Sequence, residues 1–560
     1  MATSIGNNRI RTLSTWVIAT LVVTGCTQRE QSVATRIAPV PKVASCSEGD
    51  HPETALQGQV PAALRASGFN GFNCNLRLSG QFQGEGGGWS GATFKDDAGH
   101  TCAFYGTGYV KNALTGAPIE RRHSGVAVID ITDPAHPTQT ASLITAAMMD
   151  PWESLRVNLR RKILVADGSV SLAGGSPYVD LYDISEDCRT PKLLASTEVG
   201  TGKDGGQVLP KTQSGHEGSF APDGQTYYVG DLLNGTYNAI DIADLTKPKL
   251  IAHFDMRTAP LAVNTPKHMV VSAEGKLPLL INGTSHGLSL STDGNRGYFT
   301  AVGYADARNA VDPKFKTANG FYVVDTSDVQ ARKPNPTMKL IATVPVRGGT
   351  MSQHALRMTV KGKPFLVFVD EGGAVQGNDL ASPPDYLADA TAACNAGLSP
   401  FPMAHIFDLS DERNPKEVSV LALETHDPGN CNKVLPDLAG LWIFTYGSHY
   451  CSVDNRDNAT ALACAFFNSG IRVFDIRDPV HPKEIAYYNP AGSRRSMPGS
   501  IHGMLTTFQS GAPDWCTSRP DFDFDRHMLT AMCMDNGLLA MEFENGVWPM
   551  PESSRSEAVD

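Results

Sequence analysis

A short pattern of apolar and polar positions recurs along the chain. Its clearest copy reads Ile-Arg-Val-Phe-Asp-Ile-Arg-Asp-Pro-Val-His-Pro, in which apolar residues are interrupted by polar ones before an aspartate–proline sequence. This spacing predicts a half-buried β-strand, and the aspartate and prolines at its end predict a turn. The pattern occurs in six segments, which are 126–137, 179–191, 238–248, 321–328, 404–415 and 471–482.

A seventh, degraded copy of the pattern lies near the end of the chain, at 535–543. Phe543 follows Ile476 by 67 residues, and Ile476 follows Leu409 by the same distance. Irregular repeats of roughly 50–85 residues, each made of short strands and turns, are typical of a β-propeller in which every repeat forms one blade. The sequence therefore predicts an all-β fold, a seven-bladed β-propeller over residues 74–548.

The two ends of the repeat region predict how the ring closes. The last repeat lacks an outer strand, because a polar tail at 549–560 follows it. Segment 76–82, ahead of the first repeat, has the pattern of an outer strand. We expect 76–82 to pair with 538–544, since this closes the ring and removes two exposed sheet edges.

Composition agrees with this architecture and excludes one class of partner. The chain has 560 residues with 53 Gly and 36 Pro, as expected for many strands joined by turns. Its formal net charge of −11 argues against nucleic acid as a partner, because nucleic-acid-binding proteins carry a basic surface.

The N-terminus predicts export and attachment to a membrane. Arg9 and Arg11 precede a short apolar stretch, which is typical of a signal peptide at 1–25. The sequence Leu-Val-Val-Thr-Gly-Cys then resembles a bacterial lipobox, in which Cys26 receives the lipid. A plain secretory signal is the alternative. Residues 26–73 show no sustained period, so we expect a flexible tether that holds the protein to the cell envelope through its lipid.

The remaining ten cysteines indicate disulfides, because their number is even and the chain leaves the cytoplasm. No Cys-x-x-Cys pair is present, which argues against a thiolate zinc site. Spacing favours the pairs Cys451–Cys464 and Cys516–Cys533, although Cys431 competes for Cys451 or Cys464. Spacing alone leaves the connectivity open.

The repeated strands resemble a known group of proteins. The segment 469–479, Ser-Gly-Ile-Arg-Val-Phe-Asp-Ile-Arg-Asp-Pro, is similar to the repeats of the LVIVD-repeat proteins, and the resemblance covers residues 75–545. It implies an exported propeller. The activity of that group is largely undefined, so the resemblance carries no function to this chain.

Histidines recur at one point of the predicted innermost strands. Blades one and two carry Trp89 and Trp152 at this point, and Glu153 follows Trp152. Because equivalent residues of a propeller face a common axis, the imidazoles could hold copper, iron or zinc, with Glu153 as a further ligand or a general base. The histidines, from blades three to seven, are His216, His286, His354, His449 and His502.

A structural role for these histidines is the competing interpretation, because propellers also use repeated histidines to join neighbouring blades. Long insertions at 371–401 in blade five and 303–319 in blade four suit a binding surface on one rim. We therefore predict a binding or scaffold module that receives a protein or small molecule at its face and axial channel. A metal-dependent envelope oxidoreductase or hydrolase is the alternative.

Overall fold

The computed structural model confirms the predicted fold. Among its described residues, seven antiparallel sheets of four or five strands follow one another along the chain, which is a seven-bladed β-propeller. Two further sheets have two short strands each, Lys203–Asp204 with Gln207–Val208 and Val270–Val271 with Pro278–Leu279. The described residues are 40–107, 122–169, 177–199, 203–204, 207–208, 215–231, 234–263, 270–271, 278–279, 284–302, 319–373, 383–441, 444–492 and 512–555. The predicted signal peptide and Cys26 lie outside them.

Each blade runs from an innermost strand at the axis to an outermost strand at the periphery. The strands are, for blade one, Gly91–Lys95, Thr101–Gly106, Val126–Asp130 and Thr138–Leu143; for blade two, Arg156–Asn158, Ile163–Asp167, Tyr178–Asp183 and Lys192–Glu198; for blade three, Gly215–Phe220, Thr226–Asp231, Thr236–Asp241 and Lys249–Asp255; for blade four, Thr284–Leu290, Arg296–Val302, Gly320–Asp325 and Lys339–Pro345; for blade five, Thr350–Val360, Lys363–Gly372, Ala404–Asp408 and Lys416–Leu421; for blade six, Cys451–Val453, Ala461–Ala465, Ile471–Asp475 and Lys483–Asn489; and for blade seven, Asp521–Asp523, Met528–Cys533, Gly537–Phe543 and Leu76–Phe82.

The predicted closure of the ring is confirmed. Strand Leu76–Phe82 pairs antiparallel with Gly537–Phe543, from Leu76 opposite Phe543 to Phe82 opposite Leu538. The N-terminal strand thus supplies the outermost position of blade seven. This covers the edge that the last repeat would otherwise expose.

The blades are buried on both faces because each packs between two neighbours. In blade one, Phe104 and Val128 pack against blade two, whereas Ala103 and Ile129 pack against blade seven. The third strands are consequently buried almost throughout, including Arg472 at 0 % exposure. The prediction of half-buried third strands was wrong, since the interface between blades covers the face expected to meet solvent.

The prediction of a flexible tether over 26–73 was wrong for residues 40–73. Strand Phe72–Cys74 adds a fifth strand to blade six by pairing with Lys483–Asn489. Arg472 of blade six bonds Glu53 and lies 2.9 Å from Glu484 Oε1. This buried ion cluster, which sequence periodicity does not reveal, holds the segment on the propeller.

Five disulfides lie within the described residues, and the two favoured pairs, Cys451–Cys464 and Cys516–Cys533, are confirmed. The others are Cys46–Cys74, Cys102–Cys188 and Cys394–Cys431. Cys431 therefore pairs outside blade six, with a cysteine of the blade-five insertion. That pair joins the insertion to the connection between blades five and six.

Helices are few and lie in the connections. In the described part of the chain, none has both the length and the apolar character needed to span a bilayer. The helices are Ala62–Gly68, Pro260–Val263, Ser327–Gln330, Pro383–Asn395, Cys431–Val434 and Leu438–Leu441, and the short 3₁₀ turns are Met256–Thr258, Glu424–His426, Pro428–Asn430 and Leu435–Asp437.

Candidate functional site

A β-bulge at the start of the innermost strands brings polar side chains to the axis. In blade three the bulge lies between Gly215 and Gly218, and in blade four between Ser285 and Leu288. A bulge leaves residues without ladder partners and redirects their side chains. The first bulge residue is a histidine in both blades, His216 and His286, as expected from the sequence.

Blade five departs from the predicted alignment of histidines. Its bulge follows Ser352, so Gln353 occupies the position of the other histidines and His354 lies one residue further along, where blade three has Glu217. The prediction that His354 lies at the same level as His216 was therefore wrong. A shift of one residue in the strand register determines how far along the axis His354 lies, and this register cannot be read from the sequence.

His502 does not begin the innermost strand of blade seven, which contradicts the sequence-based assignment. That strand is Asp521–Asp523. Ala491 and Pro513 form an isolated bridge at the two ends of a connection, and His502 belongs to this connection, outside the described residues. Its role as a metal ligand stays a prediction.

Glu153 is the centre of the axial cluster and is 1 % exposed. Its Oε2 accepts hydrogen bonds from Gln353 Nε2 at 2.6 Å and from Tyr450 OH at 2.7 Å. His216 Nδ1 lies 3.0 Å from the same oxygen, and His449 Nε2 lies 3.3 Å from Oε1. The structure thus places Glu153 among the predicted histidines, in contact with side chains of three other blades, three, five and six.

The tautomer of His216 follows from its neighbours. The Trp152 indole N–H donates to His216 Nε2 at 3.0 Å, so Nε2 carries the lone pair and Nδ1 carries the proton. Because burial is the dominant influence, the pKa of His216 lies well below its usual value, and the ring is neutral.

Two other histidines are oriented by backbone carbonyls of the next blade. His286 Nδ1 lies 2.7 Å from Ser352 O, and His449 Nδ1 lies 2.6 Å from Thr517 O. A carbonyl oxygen can only accept, so both Nδ1 atoms donate. These bonds join neighbouring blades, which agrees with the structural interpretation of the histidines.

A second polar level lies one residue further along the axis, centred on Glu217. His354 Nδ1 lies 2.7 Å from Glu217 Oε1, and Arg156 donates to the same oxygen at 2.9 Å. Glycine at 287 makes room for this carboxylate, because a Cβ there would lie 2.1 Å from Glu217 Oε2 and 2.0 Å from Gln353 O. His354 therefore belongs to the Glu217 level.

The charges at the axis balance one another. Burial alone would raise the pKa of Glu153, but His216 and His449 outweigh it and hold the pKa well below its usual range. Burial alone would lower the pKa of His449, and the hydrogen bonds and charges of Glu153 and Glu371 raise it to about 10. The pair is consequently a carboxylate and an imidazolium at neutral pH.

An axial cavity of about 290 Å³ adjoins the second level, and side chains of all seven blades line it. Glu217, Arg156 and His354 form part of its wall. The basic residues of its lining are Lys95, Arg156, Arg456, Arg519 and Arg555, and the acidic residues are Glu217, Asp454, Asp521, Asp523 and Asp525. With equal numbers of acidic and basic groups, the cavity has no formal net charge.

The sequence analysis missed several members of the axial cluster. Gln353, Tyr450 and Glu371 contact Glu153 or His449, and Glu217 forms the second level. Three of these residues could have been found from the sequence, because each of them except Glu371 is next in sequence to a predicted histidine. Glu371 lies in the second strand of blade five, and nothing in the repeat pattern points to it.

The described part of the blade-five insertion, which was predicted to form a binding surface on the rim, includes a helix. Helix Pro383–Asn395 of the blade-five insertion buries Ala390 and Ala393 against Val434 and Leu438 of the connection to blade six. The described insertion thus packs on its own scaffold. The blade-four insertion lies outside the described residues except for Asn319.

The strand topology and the axial cluster define a seven-bladed β-propeller with a closed polar axis. No family model matches the chain, and none of the curated proteins matches it. Among solved structures, it is similar to a putative 6-phosphogluconolactonase from Bacteroides uniformis, with 11 % identity over 80 % of this chain and 93 % of that chain at a TM-score of 0.45.

Two further solved propellers are similar in the same limited sense. The β-propeller domain of Cps50 (Swd1) from Myceliophteria thermophila has 9 % identity over 83 % of this chain and 98 % of that chain, with a TM-score of 0.42. The WD40 β-propeller domain of Doa1 has 8 % identity over 85 % and 99 %, also with a TM-score of 0.42. These similarities concern the fold alone.

Proposed function

We propose that this protein is a lipid-anchored propeller of the bacterial cell envelope that binds a small polar ligand in its axial cavity. The observation that carries the proposal is the cavity of about 290 Å³, lined by all seven blades. Its volume is close to the lower limit of the range for small-molecule sites, roughly 300–1,000 Å³. A propeller fold is consistent with such a binding module.

The lining indicates the chemical class of the ligand. Five acidic and five basic residues line the cavity, so it offers donors and acceptors without a net electrostatic preference. Such a site suits a neutral sugar or a zwitterion better than a multiply charged anion. Ser219 and Ser289 add hydroxyl groups to the lining.

The ligand proposal is tested by filling the cavity. Thr93→Trp places an indole in the cavity, and Thr138→Trp places one on the outermost strand of the same blade as a control. A panel of neutral sugars and zwitterionic amino acids is screened by thermal shift, because a bound ligand raises the melting temperature. We expect a shift in the wild type and in Thr138→Trp that Thr93→Trp loses.

Arg456→Gln serves as a second cavity variant, should the indole at 93 prevent folding. Arg456 lines the cavity and donates to Ser289 Oγ at 3.0 Å. Its replacement removes a donor and unbalances the lining charge. A ligand that shifts the wild type and both cavity variants equally binds elsewhere, and the proposal then fails.

Membrane attachment rests on the lipobox-like sequence before Cys26 and on the resemblance to exported LVIVD-repeat proteins. Metabolic labelling with a clickable fatty acid tests it. We expect label and membrane association in the wild type and in Thr27→Ala, and neither in Cys26→Ser. Label that persists in Cys26→Ser rules out lipid attachment at this cysteine. Crosslinking on the same membranes tests whether a protein partner binds the rim loops.

A second candidate is a metal-dependent envelope oxidoreductase or hydrolase. The observation that favours it is the buried group of Glu153, His216 and His286, whose ligand-type atoms lie within 4.8 Å of one another. Glu153 would act there as a ligand or a general base. This candidate depends on metal binding, which can be tested independently of any substrate.

A further inference from the structure

We propose that Glu153, His216 and His286 form a binding site for one divalent transition metal at the axis. One nitrogen or oxygen atom of each lies within 4.8 Å of the other two, and the residues are 1 %, 3 % and 2 % exposed. They come from three consecutive blades. The site therefore exists only because the innermost strands converge, and it goes beyond the proposed cavity ligand.

In each imidazole one nitrogen carries the proton and the other carries a lone pair. His286 donates its Nδ1 proton to Ser352 O at 2.7 Å, which leaves the lone pair on Nε2. His216 Nε2 accepts the Trp152 indole N–H at 3.0 Å and so holds the lone pair, while Nδ1 lies 3.0 Å from Glu153 Oε2. The arrangement at His286 is typical of protein ligands of metals, in which the second ring nitrogen bonds to a carbonyl or carboxylate.

The neighbouring indole gives the site a reporter. Trp152 Nε1 lies 3.0 Å from His216 Nε2, and the His216 and His286 ring centroids are 4.0 Å apart. A metal that binds His216 through Nε2 replaces the hydrogen bond from the indole. The fluorescence of Trp152 should then change, and a paramagnetic ion should quench it.

The ligand types indicate which metals bind. Two imidazoles and a carboxylate suit zinc, copper, iron or nickel, whereas calcium and magnesium prefer oxygen ligands alone. Burial strengthens the attraction of the Glu153 carboxylate for a cation. Magnesium is thus the appropriate negative control.

The remaining described histidines of the axis have other roles. His449 lies 3.3 Å from Glu153 Oε1 and 3.5 Å from Glu371 Oε1, which makes it a positioning residue for the carboxylate. His354 holds Glu217 at the second level. One mononuclear site therefore accounts for the cluster without using every histidine as a ligand.

The first experiment uses full-length purified protein after treatment with a chelator. Equilibrium dialysis against Zn²⁺, Co²⁺ or Mg²⁺, followed by elemental analysis, measures stoichiometry, and Co²⁺ titration with tryptophan fluorescence measures affinity. We expect one Zn²⁺ or Co²⁺ per chain, quenching by Co²⁺ and no binding of Mg²⁺. A wild-type protein that binds neither Zn²⁺ nor Co²⁺ overturns the proposal.

Variants separate ligands from neighbours. His286→Gln keeps an amide donor for Ser352 O, and it should weaken Co²⁺ binding by about 100-fold or more, as should His216→Gln. Trp152→Phe should keep binding and lose most of the quenching. His405→Gln is the matched control, because His405 is a buried histidine of blade five that contacts Asp370 and Glu417 and lies outside the cluster.

The melting temperature of each metal-free variant checks that it is folded. If His286→Gln does not fold, the site is tested with His216→Gln. The Co²⁺ absorption spectrum of the wild type then shows whether nitrogen ligands bind the metal. Co²⁺ affinity that is unchanged in both histidine variants refutes the site. Thr93→Trp should bind metal normally, so a failure of the cavity proposal is distinguishable from a failure of this one.

Discussion

The ends of the third strands and the axial ends of the innermost strands both carry repeated polar residues, but they use them differently. At the third strands, one aspartate per blade accepts a hydrogen bond from the backbone N–H two residues later, at 2.7–3.0 Å in blades one to six. At the axis, His216, His286 and His449 each have a different set of partners.

The difference follows from where the partner lies. The aspartates, which are Asp130, Asp183, Asp241, Asp325, Asp408 and Asp475, bond within their own turn, so copying the repeat copies the contact. An axial side chain bonds to another blade. Its contact depends on what that blade presents, and repetition of the residue does not repeat the interaction.

The largest effect is expected from removal of the Glu153 carboxylate, which contacts side chains of several blades at the axis. Glu153→Ala leaves the His449 imidazolium buried without its nearest carboxylate, and Tyr450 and Gln353 lose their acceptor. We expect a loss of about 3–5 kcal/mol in the free energy of unfolding, measured with urea. Glu153→Gln, which keeps an acceptor, should lose less.

The second prediction concerns the pH dependence of stability, and it compares His405 of a third strand with His449 of the axis. Burial alone would lower the pKa of His405, in a third strand, but its contacts with the accepting carboxylates of Asp370 and Glu417 raise it to about 10, as Glu153 and Glu371 do for His449.

Both folded-state pKa values exceed the unfolded value, so their stabilisation is complete below about pH 6.5 and is lost as pH rises through about 10. We expect the free energy of unfolding to fall on the order of 3 kcal/mol across that range. His405→Gln and His449→Gln should each flatten part of the fall. A stability that rises over this range contradicts the assigned charges.

The third prediction concerns the close approach of blades at the axis. Gly287→Ala would bring a Cβ to 2.0 Å from Gln353 O and 2.1 Å from Glu217 Oε2. We expect a loss of about 1–3 kcal/mol in the free energy of unfolding, because backbone must shift. Gly106→Ala in blade one, where a Cβ would meet Pro151 at 3.3 Å, is the control and should cost less.

The smallest effect is expected at the third strands. Asp130→Ala and Asp408→Ala each remove one hydrogen bond to a turn, from Thr132 N and Ser410 N. We expect each to cost about 1 kcal/mol in the free energy of unfolding. Nearly equal values support a local, repeated role, and a difference larger than the axial effects would remove the distinction between the two regions.

Much of the architecture was predictable from the sequence, whereas the detail of the site was not. The repeat period predicted seven blades, and the spare strand Leu76–Phe82 predicted the closure, because strand pattern and edge protection are expressed locally. The packing of residues 40–73 was missed. Its buried ion pair, Glu53 with Arg472, joins residues far apart in sequence and has no periodic signal.

The sequence by itself determined which side chains reach the axis in most blades, since repeats place equivalent residues at equivalent points. Only the tertiary structure decided their level and their partners. A one-residue difference in register moved His354 to the level of Glu217, and the connection between blades six and seven removed His502 from the innermost strand. The physical reason is that contacts between blades depend on strand register and ring closure, which are properties of the assembled sheets and not of any single repeat.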